Sequence, residues 1–351
     1  MIIPAILLLC FSTMVIYSSS QELAISQFIF GIAGVLVFFG LRLFDYRSLK
    51  RLVVVLYAVI VVLLIITLIL GIESRGSVRW IPIGPFNFQP SEFAKPILIL
   101  TLATFWSNRK ANWRNIGLSL AILLPLAGLI FRQPDLGTAL TVSAIWFAML
   151  IAANVSWKKI GLMGLVGLIG LPIGWSFLQP YQKQRIESFL SPTSDPQGIG
   201  FHVIQSMIAV GSGEVTGRGI GSGTQSRLQF LPEFRTDFIF AFIAEELGFV
   251  GAMVVLGLYA AMFFFLYRYL TLARDKFGEL VIVGVLGMIF FQMVVNIGMN
   301  TGMMPITGIT LPLLSYGGSS VVTTFLSLGL VASVAKYGLK RREIDTFSVL
   351  D

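Results

Sequence analysis

Carboxylates in oily surroundings are the first chemistry-bearing feature of this sequence. The stretch from Leu231 to Glu246 reads L-P-E-F-R-T-D-F-I-F-A-F-I-A-E-E, with polar residues at its start and two adjacent acids after an apolar run. A charged side chain near the centre of a bilayer costs roughly 2.5 to 3.5 kcal/mol on insertion scales, so acids within membrane helices are functional candidates. Glu245 and Glu246 carry two readings, a working group or a structural pair that faces a basic partner or a wet cavity. Asp237 stands apart from them, about two helical turns or roughly 12 Å away at 1.5 Å per residue. It falls at the water-facing mouth of the segment, where a substrate can reach it.

Three further polar clusters flank apolar runs. In Q-P-S-E-F-A-K-P, residues 89 to 96, Glu92 and Lys95 are i and i+3 on one helix face and can pair. Pro96 leaves the Glu92 carbonyl without its usual donor, which makes a polar niche; a structural salt bridge and a substrate role both fit. In R-Q-P-D-L-G-T, residues 132 to 138, Asp135 stands at a helix start, where the dipole favours an anion and a cap is the simplest role. The last cluster runs from Asn296 and Asn300 through Pro305, Thr307, Gly308 and Pro312 into S-Y-G-G-S-S at 315 to 320. Its small and hydroxylated residues suit close helix packing or a polar cavity wall, Ser315 among them.

The elements that must position these groups are membrane helices. The chain has 351 residues, 56% hydrophobic and only 12% charged, about half the charge of a soluble domain. Runs long enough to span a bilayer fall at 3–19, 24–44, 52–72, 92–107, 115–131, 136–153, 158–178, 237–267, 279–302 and 314–336. The expected fold is an all-α polytopic membrane protein, one integral membrane domain over 1–351 with ten transmembrane helices. The first run has no basic flank and no small-x-small cleavage site, so it reads as a retained helix.

Of the 25 Lys and Arg, sixteen fall in alternate short loops and the tail (Arg42, Arg47, Lys50, Arg51, Arg109, Lys110, Arg114, Lys158, Lys159, Arg268, Arg274, Lys276, Lys336, Lys340, Arg341, Arg342). The opposite short loops hold Arg75, Arg79 and Arg132. By the positive-inside rule both termini are cytoplasmic. The net charge of +8 is thereby topological, and nucleic acid is not an expected partner. One long extracytoplasmic loop, 179–236, lies between helices 7 and 8, and a loop of that length is functional or disordered. Gly200 to Val210 reads as a short amphipathic helix at the interface. The glycines after it (Gly211, Gly213, Gly217, Gly219, Gly221, Gly223) lack phosphate-loop spacing and allow either a hinge or close backbone approach. A single histidine, His202, and a single cysteine, Cys10, exclude a multi-His metal centre and an internal disulfide.

Five motifs in order over essentially the whole chain carry a resemblance: Q-P-S-E-F-A-K at 89 to 95, Q-P-D-L-G-T-A at 133 to 139, P-x-x-D-P-x-G-x-G-F at 192 to 201, L-P-E-x-x-T-D-F-I-F-A at 231 to 241, and P-I-T-G-I-T-L-P-x-x-S-Y-G-G-S-S at 305 to 320. The sequence resembles the SEDS proteins (shape, elongation, division and sporulation), and among them the elongation type. The resemblance implies a peptidoglycan glycosyltransferase that polymerises lipid II at the outer face of the cytoplasmic membrane. It implies a class B penicillin-binding protein, a transpeptidase, as partner. It marks Asp237 as the acid essential to polymerisation and puts Glu92, Lys95 and Asp135 in the family's motifs.

Such a reaction needs a base near an acceptor sugar hydroxyl and positive charge near a lipid pyrophosphate. Asp237 is the expected base, and Arg79, Lys95, Arg185 and Arg235 are the candidate cations. Arg235 beside Asp237 would hold that carboxylate too acidic for a good base, unless Glu233, closure or a divalent cation opposes it. A metal here would be oxygen-ligated Mg or Mn, shared with substrate phosphates. A lipid II flippase and a non-catalytic scaffold for the transpeptidase are the alternatives. Transport requires a polar path to the cytoplasmic side, whereas the inner halves of these spans are mostly apolar.

Overall fold

The computed structural model describes residues 1–74, 77–84, 86–192, 199–223 and 233–338. Arg75, Arg227, Phe230, Leu231, Pro232, the centre of the P-x-x-D-P-x-G run at 193–198, and Lys340, Arg341 and Arg342 lie outside the described residues. Helices occupy all ten apolar runs. They are α1 (Ile2–Ser19), α2 (Gln21–Leu43), α3 (Val53–Leu70), α4 (Pro90–Ser107), α5 (Trp113–Arg132), α6 (Leu136–Ala152) and α7 (Trp157–Phe177). After α8 (Pro180–Leu190) and α9 (Ile199–Ser212) come α10 (Ile239–Leu272), α11 (Lys276–Asn300) and α12 (Gly318–Tyr337).

Solvent explains why these segments are helical. The α3 sequence V-V-V-L-Y-A-V-I-V-V-L-L-I-I-T-L-I-L is rich in β-branched residues that suit strands in water. Within a bilayer each backbone N–H and C=O needs a partner inside its own segment, and a helix supplies one. Among the described residues seven helices are long and apolar enough to cross a membrane, namely α1, α2, α3, α5, α10, α11 and α12. Helix α6 is apolar but shorter. Helix α4 buries twelve of its eighteen residues, Glu92 and Lys95 included. It faces protein rather than lipid and tolerates polar groups accordingly.

Helix α11 packs between α4 and α6, and α12 runs along α2, so these helices form the core around which α1, α3 and α5 are arranged. Leu36, Val54, Ile69, Leu165, Val166 and Ile169 stay exposed on the outside, as lipid-facing positions do.

Two features of the fold were not expected. Residues that follow α3 form a small antiparallel sheet of β1 (Ile72–Ser74), β2 (Ser77–Ile83) and β3 (Phe86–Phe88), ordered β1-β2-β3, with Ile81 opposite Phe88 and Pro82 opposite Asn87. This sheet carries Arg79 to the mouth of the bundle. Helix α10 is also interrupted at Gly248, whose φ of 64° and ψ of −160° are not helical.

The glycine-rich stretch fills that interruption. Phe249 and Val250 donate their N–H groups to the carbonyls of Glu214 and Val215 at 2.9 and 3.1 Å. In return Arg218 and Gly219 donate to the carbonyls of Glu245 and Glu246, both at 3.0 Å. A side chain at Gly213 or Gly217 would overlap the backbone of Ala244 or Glu246. Close backbone approach, with protein as the neighbour, is therefore the use of these glycines. Glu246 takes part through its side chain, accepting from the Gly221 N–H at 2.7 Å and from the Ser18 hydroxyl at 3.2 Å.

Candidate active site

A cavity of about 940 Å³ opens at the end of the bundle where the sheet and the turn before α10 meet. Arg79, Glu92, Asp135, Arg185, Arg235 and Asp237 all line it, bringing together side chains from five separate stretches of chain. Lys95 and Ser315 do not line it. Lys95 is buried behind Glu92, and its ammonium donates to Glu92 Oε2 at 2.8 Å, with the Thr323 hydroxyl donating to the same oxygen at 3.3 Å. The Ser315 hydroxyl accepts from the Leu311 N–H at 2.8 Å and donates to the Thr236 carbonyl at 2.6 Å. It ties two turns together at the edge of the site.

Asp237 sits just before α10, in a turn that begins at Glu233. The Glu233 carbonyl accepts from the N–H groups of Thr236, Asp237 and Phe238 at 3.0 to 3.2 Å, and Glu233 itself has a positive φ of 57°. The helix starts at Ile239, so Asp237 projects from a turn and not from the first turn of a continuous helix. Its own carbonyl accepts from Asn296 and Asn300 at 2.9 and 3.0 Å.

Among the described residues the cation beside Asp237 is Arg185, not Arg235. Arg235 points to the α1–α2 connection, where its Nε donates to the Ser19 hydroxyl at 2.9 Å and its Nη2 to the Ser19 carbonyl at 3.0 Å. Arg185 comes from α8, whose start is fixed by Pro180 and a capping box between Gln179 and Gln182. Gly308, with φ of 73°, lies beneath both groups. A Cβ added there would stand 3.6 Å from Asp237 Oδ2 and 3.8 Å from Arg185 Nη1, ordinary contact distances that place both groups on the same patch of cavity floor.

Burial lowers the Arg185 pKa below its ordinary value, the Asp237 charge opposes that shift, and Arg79 adds to it. Burial likewise lowers that of Arg235. The guanidinium whose charge couples to Asp237 thus belongs to Arg185, a residue 52 positions away in the chain.

Asp135 is both a cap and part of the cavity wall. Its Oδ1 accepts from the Thr138 N–H at 3.1 Å, as an N-cap should. Its Oδ2 accepts from Gln89 and Ser91, each at 3.3 Å. Arg79 Nη1 lies 3.7 Å from Oδ1, and the same guanidinium donates to the carbonyls of Gln133 and Pro134. Arg79 is accordingly half committed to holding the α5–α6 turn.

The cavity also reaches Tyr316, from the polar cluster at 315 to 320, and Thr141 and Gln292, which sequence reasoning passed over. Gln292 is a buried amide in the middle of apolar α11, and the logic applied to Glu245 and Glu246 would have found it. Among the described residues no group of three or more His, Cys, Asp or Glu is placed to hold a metal.

A family model described as "Cell cycle protein", covering FtsW, RodA and SpoVE, matches residues 1–340. The chain belongs to this SEDS family. It is 37% identical over 341 residues to the peptidoglycan glycosyltransferase MrdB of Escherichia coli K12, covering 95% of this chain and 92% of that protein. It is 37% identical over 355 residues to the stage V sporulation protein E of Bacillus subtilis 168, covering 96% of each. Among solved structures it is similar, with a TM-score of 0.82 and 33% identity over 96% of this chain and 97% of the other, to a chain from work on structural coordination of polymerization and crosslinking by a peptidoglycan synthase complex. The SEDS motifs read from the sequence thus have their match, and the multi-pass helical membrane fold agrees with this neighbour.

Proposed function

We propose that this chain is a peptidoglycan glycosyltransferase that polymerises lipid II into glycan strands at the outer face of the cytoplasmic membrane. Its curated relative of that name, similar along nearly the full length, supports the activity. One observation carries the mechanism: a carboxylate and a guanidinium side by side over Gly308, in a polar cavity at one end of an apolar bundle.

The reaction joins the 4-hydroxyl oxygen of an acceptor sugar to the anomeric carbon of a donor. As that bond forms, the hydroxyl proton passes to Asp237, and the bond from the anomeric carbon to the lipid pyrophosphate breaks, the electron pair leaving with the phosphate oxygen. Arg185 is placed to meet the charge that develops there, and guanidinium geometry matches phosphate. Arg79 and Arg235 add positive potential while anchoring the cavity walls, and the Glu92–Lys95 pair closes the cavity from within the bundle.

The topology proposed with this mechanism has ten spans in one membrane domain, both termini cytoplasmic and residues 179–236 outside. The distribution of Lys and Arg supports it. A class B penicillin-binding protein is the proposed partner, and the peptidoglycan synthase complex that contains the structural neighbour supports this.

The test is polymerisation of purified lipid II, read as glycan products on a gel. Asp237→Ala and Asp237→Asn are expected to fold and to lose about 100- to 10,000-fold in rate, the range of a positioned general base. Full polymerisation by either variant would sink the assignment.

A further inference from the structure

Two buried asparagines of α11 touch no cavity surface yet hold the backbone that carries the proposed base. The side-chain amide of Asn300 donates to the Asp237 carbonyl at 3.0 Å, and its oxygen accepts from the Ala241 N–H at 3.0 Å. In an uninterrupted helix these two backbone groups would bond to each other, since Ala241 is four residues after Asp237. The carboxamide is therefore inserted into that turn, replacing one backbone hydrogen bond by two side-chain ones. Asn296 completes the arrangement, donating to the Asp237 carbonyl at 2.9 Å and to the Ile309 carbonyl at 2.7 Å. Ile309 follows Gly308, the residue beneath the Asp237 and Arg185 side chains.

The geometry points to Asn296 and Asn300 as positioning residues that set where Asp237 stands relative to Arg185 and the cavity floor. Asn300 keeps the first turn of α10 open, so that Asp237 lies in a turn and not on a helix face. Asn296 links the Asp237 peptide directly to the strip of chain under the site. Both residues are fully buried, and the Asn300 amide also donates to the Asn296 carbonyl at 2.7 Å. Outside this pair, Ser206 of α9 donates to the Asn300 carbonyl at 2.9 Å, tying the outer loop to the same frame. Apolar packing alone needs none of these amides. Buried polar groups are retained where their bonds are made, and here four of the bonds end on the Asp237 turn or on the chain beneath it.

This inference rests on the proposed role of Asp237 as base, and the experiment separates the two. Steady-state polymerisation of lipid II is measured for Asn296→Ala, Asn300→Ala, Asp237→Ala and the pairwise combinations, together with thermal stability of each purified protein. Misplacement of a catalytic group by about 1 Å costs up to roughly 100-fold. Each asparagine variant is expected to lose about 10- to 100-fold in kcat with little change in KM for lipid II. Neither is expected to lower the residual rate of Asp237→Ala further.

Near-isosteric Asn296→Leu and Asn300→Leu remove the amide donors while keeping the volume and burying no charge, and they answer the question where an alanine variant does not fold. An unchanged kcat in a folded asparagine variant, with Asp237→Ala inactive, overturns the positioning role and leaves the base in place. Equal losses on top of Asp237→Ala also overturn it, because they assign the asparagines a role independent of that carboxylate. Full activity of Asp237→Ala overturns the base assignment itself.

Discussion

Replacing Lys95 by Met or Glu92 by Gln removes one half of an ion pair that has almost no water. The two side chains are 3% and 6% exposed and their charged atoms are 2.8 Å apart. Breaking a buried pair by removing one partner typically costs about 3 to 5 kcal/mol, whereas replacing both by neutral groups is often close to neutral. The local structure refines the two single variants. Lys95→Met leaves Glu92 with the Thr323 hydroxyl 3.3 Å away, a donor that must first give up its 2.7 Å bond to the Ser319 carbonyl, so its loss is expected to be at least about 3 kcal/mol. Glu92→Gln leaves an ammonium with only an amide oxygen in reach and is expected nearer the upper figure.

The double variant is then expected to be more stable than either single one. The assay is reversible unfolding in mixed micelles for the parent, both singles and the double. Additive losses, with the double worse than each single, would refute the claim that the pair is held together by mutual neutralisation. If all three variants keep their stability and none polymerises lipid II, the pair acts on substrate directly.

Two further perturbations test other parts of the frame. The Tyr46 hydroxyl donates to Asp275, and burial first, then that bond and the negative charge, push its pKa above the ordinary 10.0. A raised folded-state pKa contributes stability below pH 10 that is lost as pH rises above it. The parent is therefore expected to lose stability above pH 10 more steeply than Tyr46→Phe, which loses about 1.5 kcal/mol at neutral pH; parallel stability curves in circular dichroism melts would contradict this. Gly217→Ala places a Cβ against the Glu246 carbonyl at a φ of 81°, and backbone strain alone costs roughly 1 to 3 kcal/mol. Gly128→Ala on the exposed face of α5, where nothing lies within 4 Å, serves as the control and is expected to be neutral or mildly stabilising in the same melts.

Much of this architecture was legible because a bilayer imposes one rule on every spanning segment, and the ten apolar runs are all helical. Asp237 was legible for the complementary reason, since an acid at the mouth of an oily helix stands out against its neighbours. The identity of its partner was not. Arg235 is two residues away, and proximity in sequence favoured it, but its guanidinium, in the cavity wall, is taken up by Ser19. Arg185 arrives from the loop helix α8, and nothing local in the sequence encodes a contact over that separation.

The sheet at 72–88 was hidden by the three-residue length of β1 and β3, too short for a period-two pattern, and by Pro82 inside β2, a residue that argues against a strand. The break in α10 was hidden by abundance. Gly248 is one of 35 glycines, and what distinguishes it is the loop backbone lying against it rather than any residue beside it in the chain.

That break and the Asn300 insertion have a joint consequence for how the site is held. Residues 239–247 of α10 lie between two interruptions, one filled by a side chain of α11 and the other by the backbone of residues 214–219. An unpaired peptide group away from water costs several kcal/mol, so neither interruption can persist unless its substitute partners stay in place. The short helical segment below Asp237 is thus fastened at both ends to other parts of the protein, and so is the turn that leads into it. The longer remainder of α10, from Phe249 onward, is set apart from that segment by the non-helical Gly248. It is joined to the site through the bonds from Phe249 and Val250 to Glu214 and Val215, at 2.9 and 3.1 Å, in the same 179–236 segment that delivers Arg185.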